Sequence, residues 1–409
     1  MTHNWLTVTA TIFSNLALGL LLFQVPFSLI LLSRLVKGPS RRPPLEPQPP
    51  TPDQLGTISI VVPTLNEAQR LGPCLAGLTK QSYEVREMIV VDSRSTDGTP
   101  DLVRQAAEKD PRFRLIEDDP LPPGWVGRPW ALQAGFLHSS AASEWILGID
   151  ADTYPDPALA ATVARSAAAA GYDLVSLSPQ FILKTPGEMW LQPSLLMTLV
   201  YRFGPTGTNP GTERVMANGQ CFLCRRSVLE AVGGYEIARE SFCDDVTLAR
   251  HIAQRGYQVG FWDGAKLVKV RMYEGAAETW REWGRSLDLQ DASSPAQLWG
   301  DLCLLLAVQG LPLPMVVVLL SLGQYLPESL SGMEMMVQVA LGLNLFLVAV
   351  RFALNWAIVP SYQLPSFPAS WSFWLSPLAD PLAWARILLS TIRRPTQWRG
   401  RKYQLKTKE

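Results

Sequence analysis

Apolar and polar positions divide this 409-residue chain into three kinds of segment. Leu6 to Val36 is almost free of charge, and about 30 residues rising 1.5 Å each cover the roughly 30 Å hydrocarbon core of a bilayer. Leu302 to Leu326 and Met335 to Val359 have the same character, with a short loop lacking Lys and Arg between them. In the middle of the chain the runs shorten. Ile58 to Pro63, Met88 to Asp92, Arg112 to Glu117 and Trp145 to Asp150 read as strands, while Ala68 to Thr79 and Thr99 to Glu108 follow helical spacing. Strands alternating with helices predict an α/β domain on a largely parallel sheet, with a ligand crevice at the carboxyl ends of its strands. Asp92 and Asp150 fall at two of those ends.

Between the first apolar run and the first strand, Gly38 to Gln54 is dense in proline and polar groups, the composition of an extended tether. The chain therefore divides into an anchor at 1–37, a linker at 38–56, an α/β domain at 57–300, a membrane hairpin at 301–360 and a terminal segment at 361–409. The anchor has no basic leading region and no small-residue cleavage site, and Arg34, Lys37, Arg41 and Arg42 close it. It reads as uncleaved, with the α/β domain on the cytoplasmic side of the cell (inner) membrane of a multi-pass protein. Pro312 and Pro314 also permit a re-entrant hairpin. Trp371 to Ile392 is interrupted by Asp380, Arg386 and prolines and is followed by Arg393, Arg394, Arg399, Arg401 and Lys402. An interfacial helix with a basic cytoplasmic tail suits that pattern better than a fourth span, which would carry the basic tail outside.

Composition adds two exclusions. Lys plus Arg and Asp plus Glu both number 36, so no global basic field attracts nucleic acid. Five cysteines scattered through a cytoplasmic domain argue against a disulfide framework, and Cys221-x-x-Cys224 lacks the further ligands of a zinc site, so packed thiols are expected. His3, His138 and His251 form no cluster that supports a histidine metal site or base.

Aspartates carry the candidate chemistry. Val62-Pro63-Thr64-Leu65-Asn66-Glu67 leaves a strand toward a helix, where it could hold a base and ribose or simply cap the helix. Asp92-Ser93-Arg94-Ser95-Thr96-Asp97 sets two carboxylates on one tight loop; capping accounts for Asp97 but not for Asp92 as well. Asp150-Ala-Asp152 places two carboxylates after an apolar strand, within reach of a ribose and of a metal bridging phosphate oxygens, and hard oxygen ligands suit Mg2+ or Mn2+. Asp244-Asp245 opens an amphipathic helix that stops near Gly256; the pair complements the helix dipole or supplies a general base and a positioning acid. The apolar faces at Pro186 to Phe203 and Trp280 to Leu287 suit core burial or the guidance of a lipid toward Asp245.

The order of these segments, over roughly Ile58 to Tyr273, resembles the family-2 inverting glycosyltransferases with the GT-A fold. The resemblance implies a nucleotide-sugar donor (UDP- or GDP-linked), with Thr64, Glu67 and Asp92 at the nucleoside, Asp150 and Asp152 at ribose and metal, and Asp245 as catalytic base assisted by Asp244. Arg128 to Gly135 is similar to the family's basic, small-residue segment near the donor, and Asn218-Gly219 and Gly233-Gly234 to its acceptor-side loops. Ser93 stands where many relatives have a second acid, Asp244 where Glu is frequent, and the Gln-x-x-Arg-Trp segment of processive synthases is absent. That absence favours transfer of a single sugar. Pro123 to Trp130 and Trp398 to Tyr403 resemble membrane enzymes that glycosylate lipids, including carotenoid, hopanoid-associated and ceramide glycosyltransferases, which implies a lipid acceptor. A processive polysaccharide synthase and a non-catalytic or transport-associated membrane protein are the competing readings.

Overall fold

The computed structural model describes the chain apart from residues 1, 119, 209–210, 284–286, 288, 324–330, 394–396, 399–400 and 403–409. Much of the predicted basic tail, Arg394, Arg399 and Tyr403 included, lies outside the described residues. Seven strands form the central sheet: β1 (Ile58–Thr64), β2 (Val85–Asp92), β3 (Phe113–Glu117), β4 (Trp145–Ile149), β6 (Leu174–Ser178), β8 (Cys221–Arg225) and β9 (Val259–Asp263), in the order β3-β2-β1-β4-β8-β6-β9. A smaller sheet holds β5 (Thr153–Pro155), β7 (Gln180–Ile182), β10 (Val268–Val270) and β11 (Tyr362–Gln363). The central sheet is parallel from β3 to β4, whereas β8 runs antiparallel to both β4 and β6. β2 and β3 extend to one side of β1 and β4 lies on the other, so the strand order reverses at β1 and opens a crevice at the carboxyl ends there. In register, Thr64 at the end of β1 stands beside Asp92 at the end of β2.

Period-two alternation buries both faces of β1. Ile58, Ile60 and Val62 join a core with residues of α2 (Leu71–Leu78), α3 (Thr99–Lys109) and α5 (Leu159–Ala169). Val61 faces the opposite core with α4 (Gly127–His138), α7 (Arg226–Val232) and α8 (Asp244–Gln254). Cys221 and Cys224 of β8 fall in these two different cores, so the two thiols sit on opposite faces of the sheet, and all five cysteines are free. Gly135 lets α4 lie against β1, because a Cβ there would meet Val61 Cγ1 at 2.2 Å. Gly135→Ala is expected to destabilise the domain by about 1–3 kcal/mol through overpacking, read as a lowered thermal midpoint.

Among the described residues two helices are long and apolar enough to cross a membrane, Thr11–Leu35 within α1 (Thr2–Leu35) and Met335–Ser361. Pro295–Gly310 and Pro312–Ser321 qualify only together and meet at a 48° bend, at the prolines where the sequence permitted re-entry. α1 and the helix Ser331–Ile358 exchange amides, Gln24 Nε2 to Asn344 Oδ1 and Asn344 Nδ2 to Gln24 Oε1, both at 2.9 Å. Arg351 of that helix pairs with Asp380 at 2.9 Å, tying down the 13-residue helix Asp380–Ile392. These parts converge with α6 (Pro186–Phe203) in a third core that includes Leu31, Leu195, Leu305 and Ile387.

Candidate active site

The first two loops of the crevice are laced together. Asn66, held at a positive φ of 56°, donates its amide to Ser95 Oγ at 2.8 Å and accepts Thr96 N–H on its side chain at 2.9 Å. Asp97 accepts the amides of Ala68 and Thr99 and the Thr99 hydroxyl; these bonds outweigh partial burial and hold its carboxyl below the usual range. Asp97 is thus a structural brace between loops. Glu67 N–H donates to Thr99 Oγ1, and α2 begins only at Leu71, since residues 66–70 serve the loop instead of the expected helical turn. Asp92 is buried, accepting Ser95 N–H at 2.9 Å and the Thr64 hydroxyl at 3.3 Å. Thr64 therefore caps no helix. Ser93 donates to Asp118 Oδ2 at 2.7 Å, so a carboxylate from the end of β3 stands behind the serine that occupies an acid's usual place.

A cavity of about 820 Å³ lies beside these loops and gathers the other candidate residues, Arg128, Asp150, Asp152, Asp244 and Asp245. Thr64, Glu67 and Asp92 are not part of its lining. Arg70 links the two regions: it lines the cavity, pairs with Glu278 at 3.3 Å and feels the charges of Asp152 and Glu67. No motif pointed to Arg70 or Glu278, which are 208 residues apart and meet only through the fold.

Arg128, in the first turn of α4, organises the cavity. Its Nε and Nη2 donate to Asp150 Oδ1 at 3.0 and 2.8 Å, Nη2 also to the Gly219 carbonyl at 2.9 Å, and Nη1 to Asp244 Oδ2. A Cβ at 219 would stand 2.2 Å from Arg128 Nη2, so a side chain there would displace the guanidinium from this position. Burial would lower the guanidinium's pKa, but Asp150, Asp244 and Asp245 together hold it above its ordinary value. Asp244 moves the other way. Burial, with Asp245 and Asp150 nearby, pushes it up to about 7 against the pull of Arg128. Asp245 keeps a partly open face to the cavity, yet its enclosure, reinforced by Asp150, raises its carboxyl as well. Asp244 is committed to Arg128, whereas Asp245 uses Oδ1 to accept its neighbour Val246 N–H at 2.8 Å.

The far wall is apolar, with Leu199, Met216, Met272, Trp283, Leu287 and Leu289. Most of the apolar residues of α6 are core, and Leu199 is its contribution to the wall. Among the described residues no three His, Cys, Asp or Glu side chains form a self-contained metal cage. Asp152 beside Asp150 nevertheless offers hard oxygen donors, and Mg2+ or Mn2+ bound with a nucleotide takes one or two carboxylates and completes its shell from phosphate and water. The donor set fits an ion that arrives with a diphosphate.

Residues 59–233 match the model of Glycosyl transferase family 2, and residues 208–409 that of Glycosyl transferase family 21. The succinoglycan biosynthesis protein ExoA of Rhizobium meliloti is 29% identical over 225 residues, 53% of this chain and 64% of that protein. A 4,4'-diaponeurosporenoate glycosyltransferase of Staphylococcus haemolyticus is 26% identical over 239 residues, 58% of this chain and 63% of the relative. The chain thus spans a little under two thirds of the length of these relatives. Among solved structures, a mannosyltransferase of Pyrobaculum calidifontis in complex with GDP-Man and Mn2+ superposes with a TM-score of 0.50 at 20% identity, covering 95% of this chain and 98% of that one. The fold is that of the GT-A enzymes.

Proposed function

We propose that this chain, which carries a family 2 glycosyltransferase domain of the GT-A fold, transfers one sugar, with inversion, from a nucleotide diphosphate to a hydroxyl of a membrane lipid. The observation that carries the reading is the single cavity in which Arg128 joins the acid pair after β4 to the acid pair opening α8, while the opposite wall is apolar. Donor carboxylates and candidate base therefore face one space large enough for a sugar between them.

In this reading Thr64, Glu67 and Asp92 hold the nucleoside, Asp150 the ribose, and Asp152 with Asp150 the divalent ion. Bound there, Mg2+ or Mn2+ would offset charge on the departing diphosphate. The GDP-Man and Mn2+ of the P. calidifontis enzyme support a donor of this class. Asp245 takes the proton of the acceptor hydroxyl; its oxygen forms a bond to the anomeric carbon as the bond to the diphosphate breaks, and the nucleoside diphosphate leaves with the electron pair. A carboxyl raised toward neutrality is a better general base than an ordinary aspartate. Asp244 keeps Arg128 in place and acts on the acceptor only through that arginine.

The lipid acceptor rests on the apolar wall, on the two helices long enough to cross a bilayer, and on the carotenoid-acid substrate in the name of the staphylococcal relative. The helix Asp380–Ile392, with Leu382, Leu389 and Ile392 exposed, suits the membrane interface of the cytoplasmic leaflet. Membranes containing the protein, supplied with radiolabelled UDP- and GDP-sugars and Mn2+, should yield label in solvent-extractable lipid. Asp152→Asn should abolish that label by lowering donor affinity in the presence of metal. Label found only in insoluble polymer would turn the reading to a polysaccharide synthase, and no label from any donor would reject it.

A further inference from the structure

Among the described residues three cations line the carboxylate cavity, Arg70, Arg128 and Arg281. Arg128 is committed to protein acceptors, since its Nε, Nη1 and Nη2 go to Asp150, Asp244 and the Gly219 carbonyl. Arg281 is largely exposed beside its neighbour Glu282. Arg70 is half-buried and uses little of its guanidinium: Nη2 donates to Glu278 Oε1 at 3.3 Å, and among the described residues Nε and Nη1 donate to nothing. Neither end of this pair depends on the other for its place. Arg70 closes a loop braced from within, its own N–H and that of Leu71 on the Glu67 carbonyl at 2.9 and 2.8 Å, with Ala68 N–H on Asp97. Glu278 ends the short helix Gly275–Glu278, which α6 anchors. Buried Glu188 accepts Gly275 N–H at 3.0 Å, and buried Gln192 donates to the Tyr273 carbonyl and to Thr279 Oγ1, both at 3.1 Å. One partly solvated ion pair adds little to segments already held this way.

We infer that Arg70 is a donor-binding residue that receives the diphosphate of the nucleotide sugar, with Glu278 competing for the same guanidinium. Its position carries this. Arg70 lies within electrostatic reach of both Glu67 and Asp152, the acids proposed for the nucleoside and for the metal, and the diphosphate is the part of the donor that joins the nucleoside to the ion. The planar fork of an arginine can meet two phosphate oxygens at once and is charged at every working pH. A neutral sugar hydroxyl would gain far less from a cation at this place. Glu278 acts in the opposite sense, because its carboxylate both occupies the guanidinium and repels an approaching phosphate. The inference rests on the nucleotide-sugar reading and is independent of the acceptor.

The test measures binding to the full chain in neutral detergent by calorimetry, with Mn2+ present throughout, using UDP and GDP and, for comparison, uridine and guanosine. Arg70→Gln should weaken the bound diphosphate about tenfold, the value of one charge-assisted hydrogen bond, and leave the matching nucleoside unchanged. Arg70→Lys should recover part of the loss, since a point charge remains but the fork does not. Glu278→Gln should bind the diphosphate at least as tightly as the wild type does. A pair that merely tied the two segments together would give a different pattern, with both Gln variants weakening diphosphate and nucleoside alike. That pattern, or a diphosphate affinity unchanged in Arg70→Gln, overturns the assignment. A wild type that binds neither UDP nor GDP rejects the donor reading, and this inference with it.

Discussion

Asp245→Asn is expected to reduce sugar transfer by roughly 10²–10⁴-fold, the range for loss of a positioned general base, with donor affinity nearly unchanged. The substitution keeps size and shape, and Asn can still accept Val246 N–H, so the start of α8 should survive. In the proposed reading the donor lies on the other side of Arg128, at Asp150 and Asp152. Transfer measured at saturating donor, alongside binding of the nucleotide sugar by calorimetry, separates the two effects; equal losses in both would assign Asp245 to the donor site. The pH profile gives an independent check. A base works deprotonated and Asp245 is raised, so wild-type kcat/KM should climb with pH through an inflection above the ordinary carboxylate range. Because Asp244 and Asp245 interact, that inflection belongs to the pair.

Local pattern made the first half of the domain legible. The apolar runs ending in Asp92 and Asp150 are strands of the central sheet or end directly after one, and the helix at Asp244 starts at the predicted residue. What the pattern could not carry was the antiparallel insertion of β8 between β4 and β6, since register with a distant strand leaves no local periodicity. The helix expected from Ala68 began three residues later because Asn66 and Ala68 spend their backbone amides on Ser95 and Asp97. Two acids predicted to act as a pair at the start of α8 divide their duties for a similarly remote reason: Arg128, 116 positions away, claims Asp244. The Arg70–Glu278 pair was likewise invisible in sequence, where 208 positions separate its members.

Arg128→Met should be the most damaging substitution to stability. It removes the cation from a cavity that keeps Asp150, Asp244 and Asp245, and stranding buried carboxylates without their partner costs about 3–5 kcal/mol. The sign of the pH dependence follows from the acids that remain. Asp244 and Asp245 already resist ionisation in the presence of Arg128, and without it those two resist more, so both bind a proton at higher pH in the folded than in the unfolded state. A group with a raised folded pKa loses stability as pH climbs from its unfolded to its folded value. The variant's deficit should therefore be largest near pH 8 and shrink toward pH 6 as protonation replaces the missing charge. Thermal unfolding of wild type and variant at the two pH values measures this, and a deficit independent of pH would mean that lost packing around the arginine stem dominates. Adding Asp244→Asn to Arg128→Met removes one stranded charge and should recover part of the stability without restoring transfer, because Asp150 would still lack its guanidinium partner and Asp245 the positive charge beside it.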